Sequence, residues 1–457
     1  MLKITNPYSQ EVIKEIPQDT QSSIQEKYQQ AHIAQAKWWS TPLRKRMEVV
    51  ARFHVLLQKN MDHLAHLLTS ETGKPITQAI NEIKATKGRL DFFLQNIESA
   101  LKIDTILSTK GSEEKISWEP LGVVANISAW NYPYFVGTNV FIPALLTGNT
   151  VLYKPSEFSS LTGLEFAAIL KQAGLPEGVF TPIIGGKEQG EFLLTQKING
   201  VFFTGSRATG VHIAKAVAGQ MIKVQLELGG KDPIYVCEDA HVDVASKSLA
   251  DGAFYNAGQS CCSVERIYVH KSIYQNFIKH FTNKVKCLKM GDPTTTETSI
   301  GPLTRPQQVK ILEAQVKDAL DKGAKLLCGG HVWSKNSAFF EPTVLVQTNH
   351  SMEVMREESF GPIVGIQPVC SDEEAIELIN DTEYGLTAGV FSSSQKKAEK
   401  ILEQINSGTV YWNCCDRVSP RLPWTGRQGS GIGSTLSMIG IRSFQQPKAW
   451  HMAQPKI

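Results

Sequence analysis

Two doubly wound α/β units in tandem, preceded by a helical layer, are the architecture this sequence predicts. From about residue 121, short apolar runs closed by glycine or proline alternate with longer helical stretches, a pattern that implies parallel strands joined by crossover helices. A second series of the same kind begins near residue 231. Ahead of both, residues 20 to 104 repeat apolar positions at helical spacing with no competing strand alternation.

The elements follow in order. "RMEVVARFHVLLQKNMDHLAHLLTSETGK" belongs to the helical layer. "LGVVANISAW", "GNTVLYKPS", "VFTPIIGG" and "NGVFFTG" read as strands, with "SLTGLEFAAILKQAG" and "ATGVHIAKAVAG" as helices between them. A doubly wound sheet of this kind binds ligands at the carboxyl ends of its strands. The second series runs through "KDPIYVCED", "RIYVH", "GAKLLCGG", "FFEPTVLV", "GPIVGIQPV", "AGVFSSS" and "GTVYWN". No linker, repeat or low-complexity tract marks the junction, which falls near 229 to 231 where "LGGK" supplies a flexible turn.

Composition excludes several classes. Of the 457 residues 42% are hydrophobic and 20% charged, with a net charge of +3, so neither nucleic acid nor an anionic membrane is an expected partner. The start, "MLKITNPYSQEVIKEIPQ", lacks the apolar core of a signal peptide, and no run reaches the roughly 18 apolar residues of a membrane helix. A cytoplasmic location is expected. Eight cysteines, with no C-x-x-C pair and no Cys/His cluster at zinc spacing, read as reduced thiols with no metal framework.

Two of those cysteines, Cys261 and Cys262 in "NAGQSCCSVE", are adjacent. Cysteine packs well as a small buried hydrophobe, so chemistry and packing both remain open for the pair. In "QLELGGK", Glu227 interrupts an apolar strand: it is either a surface carboxylate facing away from Leu226 and Leu228 or a desolvated general base of raised pKa. Asn131 in "AWNYPY" follows a strand, where its amide serves either a turn or a developing oxyanion. "VFFTGSRATG" places Gly205 and Ser206 between a strand and a helix start, the position for a tight turn or for phosphate binding. Lys154 and Glu157 in "VLYKPSE" are either solvated end-of-strand charges or the pair that holds a ribose.

Taken together, "AWNYPY", "GNTVLYKPSE", "FTGSRATG", "LELGGK", "GQSCCSVERIYV", "EESFGP" and "GTVYWN", in this order, resemble the motifs of the NAD(P)-dependent aldehyde dehydrogenase superfamily across essentially the whole chain. The resemblance implies a Rossmann-like cofactor domain (1–104 and 119–229), an α/β catalytic domain (230–430) and a small β extension (105–118 and 442–457) that joins subunits. Because such strands lack partners in their own domain, a homodimer or homotetramer is expected. It implies Cys261 as nucleophile, Glu227 as base and Asn131 as oxyanion donor. The cofactor, NAD with NADP as the alternative, is expected to meet Trp130, Lys154, Glu157, Gly205, Ser206, Glu358 and Phe360; Glu157 would repel a 2′-phosphate and so favours NAD.

The same resemblance lines the substrate pocket with Tyr132, Val136, Asn139, Val418 and Trp424, and puts Arg417 and Arg421 near its mouth, where a guanidinium can bind a distal carboxylate or simply be solvated. A short or medium aldehyde is expected, with succinate semialdehyde and neutral aldehydes both in range. Three departures stand out: Val140 where many members carry a lysine, Thr425 in place of a frequent glycine, and a short N-terminal segment. The rival readings are a coenzyme A-acylating semialdehyde dehydrogenase, whose members generally lack the glutamate at Glu227, and a non-catalytic protein that kept the fold.

Overall fold

The computed structural model describes residues 1–333 and 338–454. A six-stranded sheet forms the first α/β unit, in the order Gly431–Ile432, Lys223–Glu227, Gly200–Thr204, Val123–Ile127, Thr150–Lys154, Phe180–Pro182. All its pairings are parallel except that of Gly431–Ile432, which lies antiparallel against Glu227 and Leu226. The winding explains where a crevice opens. From Val123–Ile127 the chain steps outward to Thr150–Lys154 and Phe180–Pro182, then returns to Gly200–Thr204 on the other side of its starting strand. The connections that leave Ile127 and Thr204 therefore diverge, and a ligand crevice opens at these two carboxyl ends.

The second sheet has seven strands, ordered Lys325–Cys328, Thr343–Val346, Ile363–Val369, Val264–His270, Asp232–Val236, Thr387–Phe391, Thr409–Trp412. Lys325–Cys328 departs from the parallel expectation and pairs antiparallel with Thr343–Val346. Among the described residues no helix lies between these two strands, and without a crossover the chain turns straight back. Ile234, Val236, Ile267, Val344 and Val390, all buried, build this unit's core.

Four helices, Gln21–Ser40, Leu43–Lys59, Met61–Thr72 and Ile76–Leu101, fill the expected helical layer. Leu90, Phe93 and Ile97 from the last of them share a core with Phe141 and Leu145 of the helix Pro133–Leu146. The sequence reading missed an N-terminal hairpin, Leu2–Thr5 with Val12–Ile16, whose strands are short and bury only Ile4 and Ile16. A third sheet, Asp104–Ser108, Ser112–Pro120 and Gln445–Ala453, is antiparallel. Its strands thus find partners in one another, and what remains open is the pair of outer edges, where Ile106, Leu107 and Met452 are exposed. Residues 455–457 of the expected C-terminal extension lie outside the described residues. No helix among the described residues is long and apolar enough to cross a membrane.

Candidate active site

The loop that carries Cys261 is held under backbone strain. Asn256, Ala257 and Gly258 take successive φ values of 54°, 54° and 69°, a left-handed run that only glycine tolerates easily. At Gly258 no side chain fits, because a Cβ would approach the Gly361 carbonyl oxygen to 2.2 Å. Hydrogen bonds offset the strain. The Asn256 amide nitrogen donates to the Gln259 carbonyl at 3.1 Å, Gln259 Nε2 returns a bond to the Asn256 carbonyl at 3.1 Å, and Gln259 Oε1 accepts from the Thr304 N–H at 3.0 Å. The loop then delivers two unlike thiols. Cys261 is partly exposed, whereas Cys262 is buried and donates to Asp416 Oδ1 at 3.0 Å. The hydrogen bond with Cys261, burial and the Asp416 carboxylate push the Cys262 thiol well above its ordinary range.

Glu227 ends its strand beside this loop and is 7% exposed, so the surface reading of this carboxylate does not hold. Leu226 and Leu228 pack on the opposite side with Val201 and Ile213, as strand alternation requires. Burial lifts the Glu227 carboxyl to about 7, against the pull of hydroxyls from Thr435 and Thr204. Thr435 was not visible as a partner in the sequence, since it lies 208 residues further along the chain.

Asn131 is buried, and its amide donates to the Gln259 carbonyl at 3.2 Å, tying it to the cysteine loop. Its carbonyl accepts from Lys74 Nζ at 2.7 Å, and Lys74 in turn pairs with Glu82, which accepts from the Tyr134 N–H at 2.9 Å. This buried ion pair, also unforeseen, fixes the backbone on both sides of Tyr132. One signal was available: Glu82, Thr86, Arg89 and Phe93 lie at spacings of four, three and four residues, all on the buried face of Ile76–Leu101.

A cavity of about 440 Å³ brings Glu227 and the two cysteines together, while Asn131, its amide turned to the Gln259 carbonyl, is not among the lining residues. The cavity is lined by Glu227, Cys261 and Cys262 and by the expected pocket residues Tyr132, Val136, Asn139, Val418 and Trp424. Arg417 reaches the lining; Arg421 does not and is exposed on the outer loop. Val140 is buried in the neighbouring core and likewise does not line the cavity. Sequence reasoning missed Arg89, Phe135, Tyr255, Asp251 and Asp416, which complete the wall. Burial raises the Asp416 carboxyl to about 6.

A second groove, of about 720 Å³, opens in the crevice at the carboxyl ends of Val123–Ile127 and Gly200–Thr204. Trp130, Lys154, Glu157, Gly205 and Ser206 line it, together with Lys187, His212 and Arg305, which the sequence reading did not name. Ser206 caps the helix Arg207–Val217, accepting from the Thr209 N–H, so that helix points its amino end into the groove. Gly205 is required because a Cβ there would meet the Phe203 ring at 2.4 Å. Lys154 is buried, its amine donating only to the Pro155 carbonyl, and burial lowers its pKa.

Glu358 and Phe360 line neither groove nor cavity, and of the two Phe360 touches a groove residue. The Trp130 and Phe360 rings meet edge to face at 5.6 Å, and Phe360 sits at a φ of 46°. That conformation is clamped by Glu265, which accepts from the N–H groups of Ser359 and Phe360 and pairs with buried Lys231. Glu358 accepts from the Gly230 N–H at 3.1 Å, and Gly229 leaves room for it, since a Cβ there would fall 2.3 Å from the carboxylate. Burial raises Glu358 to about 8. A carboxyl from the first sheet and a thiol from the loop that leads into the second thus share one cavity, and a groove suited to a dinucleotide adjoins it.

Known proteins are similar to this chain along nearly its whole length. The chain matches the family described as "Aldehyde dehydrogenase family" over residues 1–450. It is 33% identical to succinate-semialdehyde dehydrogenase [NADP(+)] of Deinococcus radiodurans, covering 97% of this chain and 93% of that protein. It is also 33% identical to the chloroplastic betaine aldehyde dehydrogenase of Beta vulgaris, over 97% and 91% of the two chains. Among solved structures, betaine aldehyde dehydrogenase from Staphylococcus aureus in complex with NAD+ superposes with a TM-score of 0.95 at 31% identity, covering 100% of this chain and 92% of that one. Motif order, fold and whole-length similarity agree, and the chain belongs to the aldehyde dehydrogenase family.

Proposed function

We propose that the protein oxidises an aldehyde to a carboxylic acid with reduction of NAD(P), using Cys261 as nucleophile, Asn131 as oxyanion donor and Glu227 as base. The observation that carries this reading is the meeting of Cys261 and Glu227 in one cavity although Glu227 ends a strand of the first sheet and Cys261 lies on the loop that leads into a strand of the second.

The groove residues fit a dinucleotide: Ser206 and the helix it caps suit the pyrophosphate, and Lys154 and Glu157 the adenine ribose; Glu358 and Phe360, outside the groove lining, are assigned the nicotinamide riboside from the motif resemblance. Bound there, the nicotinamide supplies the acceptor for the hydride that leaves the substrate carbon. Half-buried Glu157 disfavours a 2′-phosphate, which tilts the choice toward NAD.

A thiolate is the strongest common side-chain nucleophile near neutral pH. Cys261 attacks the aldehyde carbon, and the oxyanion accepts from the Asn131 amide and the Cys261 N–H. Loss of hydride from the tetrahedral carbon leaves a thioester on Cys261. Glu227 takes a proton from water, the resulting hydroxide equivalent attacks the thioester, and the acid departs as the thiolate is restored. A carboxyl near 7 suits this task, being ionised in a large fraction of molecules at neutral pH yet basic enough to accept a proton. Glu227 favours water over coenzyme A as the acyl acceptor.

The cavity, with Tyr132, Phe135, Val136 and Trp424 in its wall, suits a short or medium aldehyde, and succinate semialdehyde belongs to the range to be tested. We assign residues 1–104 and 119–229 to cofactor binding, 230–430 to the thiol chemistry, and 105–118 with 442–457 to contact between protomers of a homodimer or homotetramer. Measuring NAD and NADP reduction across a panel of aldehydes, in parent and Cys261→Ala protein, tests the function. Turnover that depends on Cys261 is expected; turnover that survives Cys261→Ala refutes it.

A further inference from the structure

Arg89 is a buried cation with no hydrogen-bonded anion among the described residues, although the Glu82 and Glu227 carboxylates favour its charged form from a distance. It is 5% exposed, lines the substrate cavity, and its Nε has no hydrogen-bond partner. No group among the described residues accepts a hydrogen bond from its terminal nitrogens. Glu82, whose charge acts on Arg89, is already committed to Lys74 and to the Tyr134 N–H. Instead the guanidinium lies flat on Phe135, its carbon 3.6 Å from the ring centroid. Stacking of this kind occupies the face of the guanidinium and leaves its in-plane N–H donors unengaged. Burial depresses its pKa only to about 10, so the group stays charged at neutral pH.

Asn139 is the second observation. It sits on the helix Pro133–Leu146, packed against the helix that carries Arg89, and is 3% exposed in the cavity wall with its Oδ1 unpartnered. The Arg89 Nε calls for an acceptor and the Asn139 Oδ1 for a donor, so an anion completes the first of these two buried groups and not the second.

Resting on the aldehyde dehydrogenase reading, we infer that Arg89 receives an anionic group at the far end of the substrate, so that the preferred aldehyde is a semialdehyde carrying a carboxylate. A planar carboxylate matches the paired N–H donors of a guanidinium, and the Asn139 amide can donate a further bond. The acidic groups of the cavity oppose this only in part. Lys74 neutralises Glu82 and exposed Asp251 faces solvent, while Glu227 and Asp416, raised by burial to about 7 and about 6, keep negative charge at neutral pH that the guanidinium must outweigh. The anion site is therefore internal, and exposed Arg421 is not part of it.

The test compares succinate semialdehyde with butanal in parent, Arg89→Met, Arg89→Lys and Arg421→Ala proteins. Loss of a charge-assisted pair lowers the ratio of kcat/KM for the semialdehyde over butanal roughly 10- to 100-fold in Arg89→Met, with partial recovery in Arg89→Lys. Arg421→Ala keeps the parent ratio. Equal loss on both aldehydes places Arg89 in the shared chemistry and overturns the inference, as does an unchanged ratio. Binding is read separately, by the thermal shift that succinate or glutarate produces in the parent and that Arg89→Met abolishes. If no aldehyde is oxidised while the dicarboxylate shift persists, the function reading fails and the anion site stands; if turnover is present and the shift absent, the anion site fails alone.

Discussion

Cys262 donates its thiol hydrogen to Asp416 at 3.0 Å, while Cys261, one residue earlier, opens onto the same cavity partly exposed. Two adjacent sulfurs are thereby given different chemistry. A buried thiol beside a carboxylate resists ionisation, and the thiol form is not the nucleophile. Cys262→Ser, which keeps a donor for Asp416, is expected to retain most of the parent kcat, whereas Cys261→Ser loses at least about 100-fold. Steady-state NAD reduction checks both, and equal losses would remove the distinction drawn here.

Glu227 sets a pH dependence with a definite sign. The base must be deprotonated, and its carboxyl lies near 7, so kcat for the hydrolytic step rises with pH below about 7 and levels off above it. The Thr435 hydroxyl stabilises the ionised form. Thr435→Val therefore raises the Glu227 pKa and moves the rise to higher pH, a shift visible in a kcat profile. A profile left in place by Thr435→Val would mean that another group titrates.

Much of this site was legible in the sequence because its parts sit at the punctuation between strand and helix. Asn131, Gly205 and Ser206 follow strands, and Glu227 ends one; a short apolar run closed by glycine marks such places without any tertiary information. Arg89, Asp416 and Thr435 were not legible, since what makes them part of the site is packing across the fold. Arg89 becomes a cavity group only when Ile76–Leu101 lies against Pro133–Leu146, and Thr435 reaches Glu227 from the other end of the chain. Arg421 was open between binding an anion and being solvated; it is exposed and off the cavity lining, and a loop arginine near a motif says nothing of which way the loop faces. The strand Lys325–Cys328 was read but its antiparallel direction was not, because strand-helix alternation carries no direction for a strand reached without a crossover.

The Lys74–Glu82 pair is expected to support both stability and the site. Lys74→Met leaves Glu82 buried and unpaired and frees the Asn131 carbonyl, at a cost of about 3–5 kcal/mol. Denaturant unfolding measures the loss. Replacing both members, Lys74→Met with Glu82→Leu, restores part of that stability while kcat stays low, because the Asn131 backbone has lost its anchor.

Gly258→Ala tests the strained loop. Its φ of 69° and the 2.2 Å approach to the Gly361 carbonyl leave no room for a methyl group. The variant is expected to lose activity by displacing Cys261 even where circular dichroism shows an intact fold, and full activity would show that the loop does not fix the thiol.

The most direct test of the central claim uses Glu227→Gln protein mixed with aldehyde and NAD. With the base removed, the thioester forms but is not hydrolysed, so reduced cofactor appears as a burst of about one equivalent per site and the acyl group stays on the protein. Peptide mass mapping of the trapped enzyme is predicted to find that group on Cys261 and none on Cys262. An acyl group on Cys262, or steady turnover at the parent rate with no acyl group on Cys261, would contradict the account.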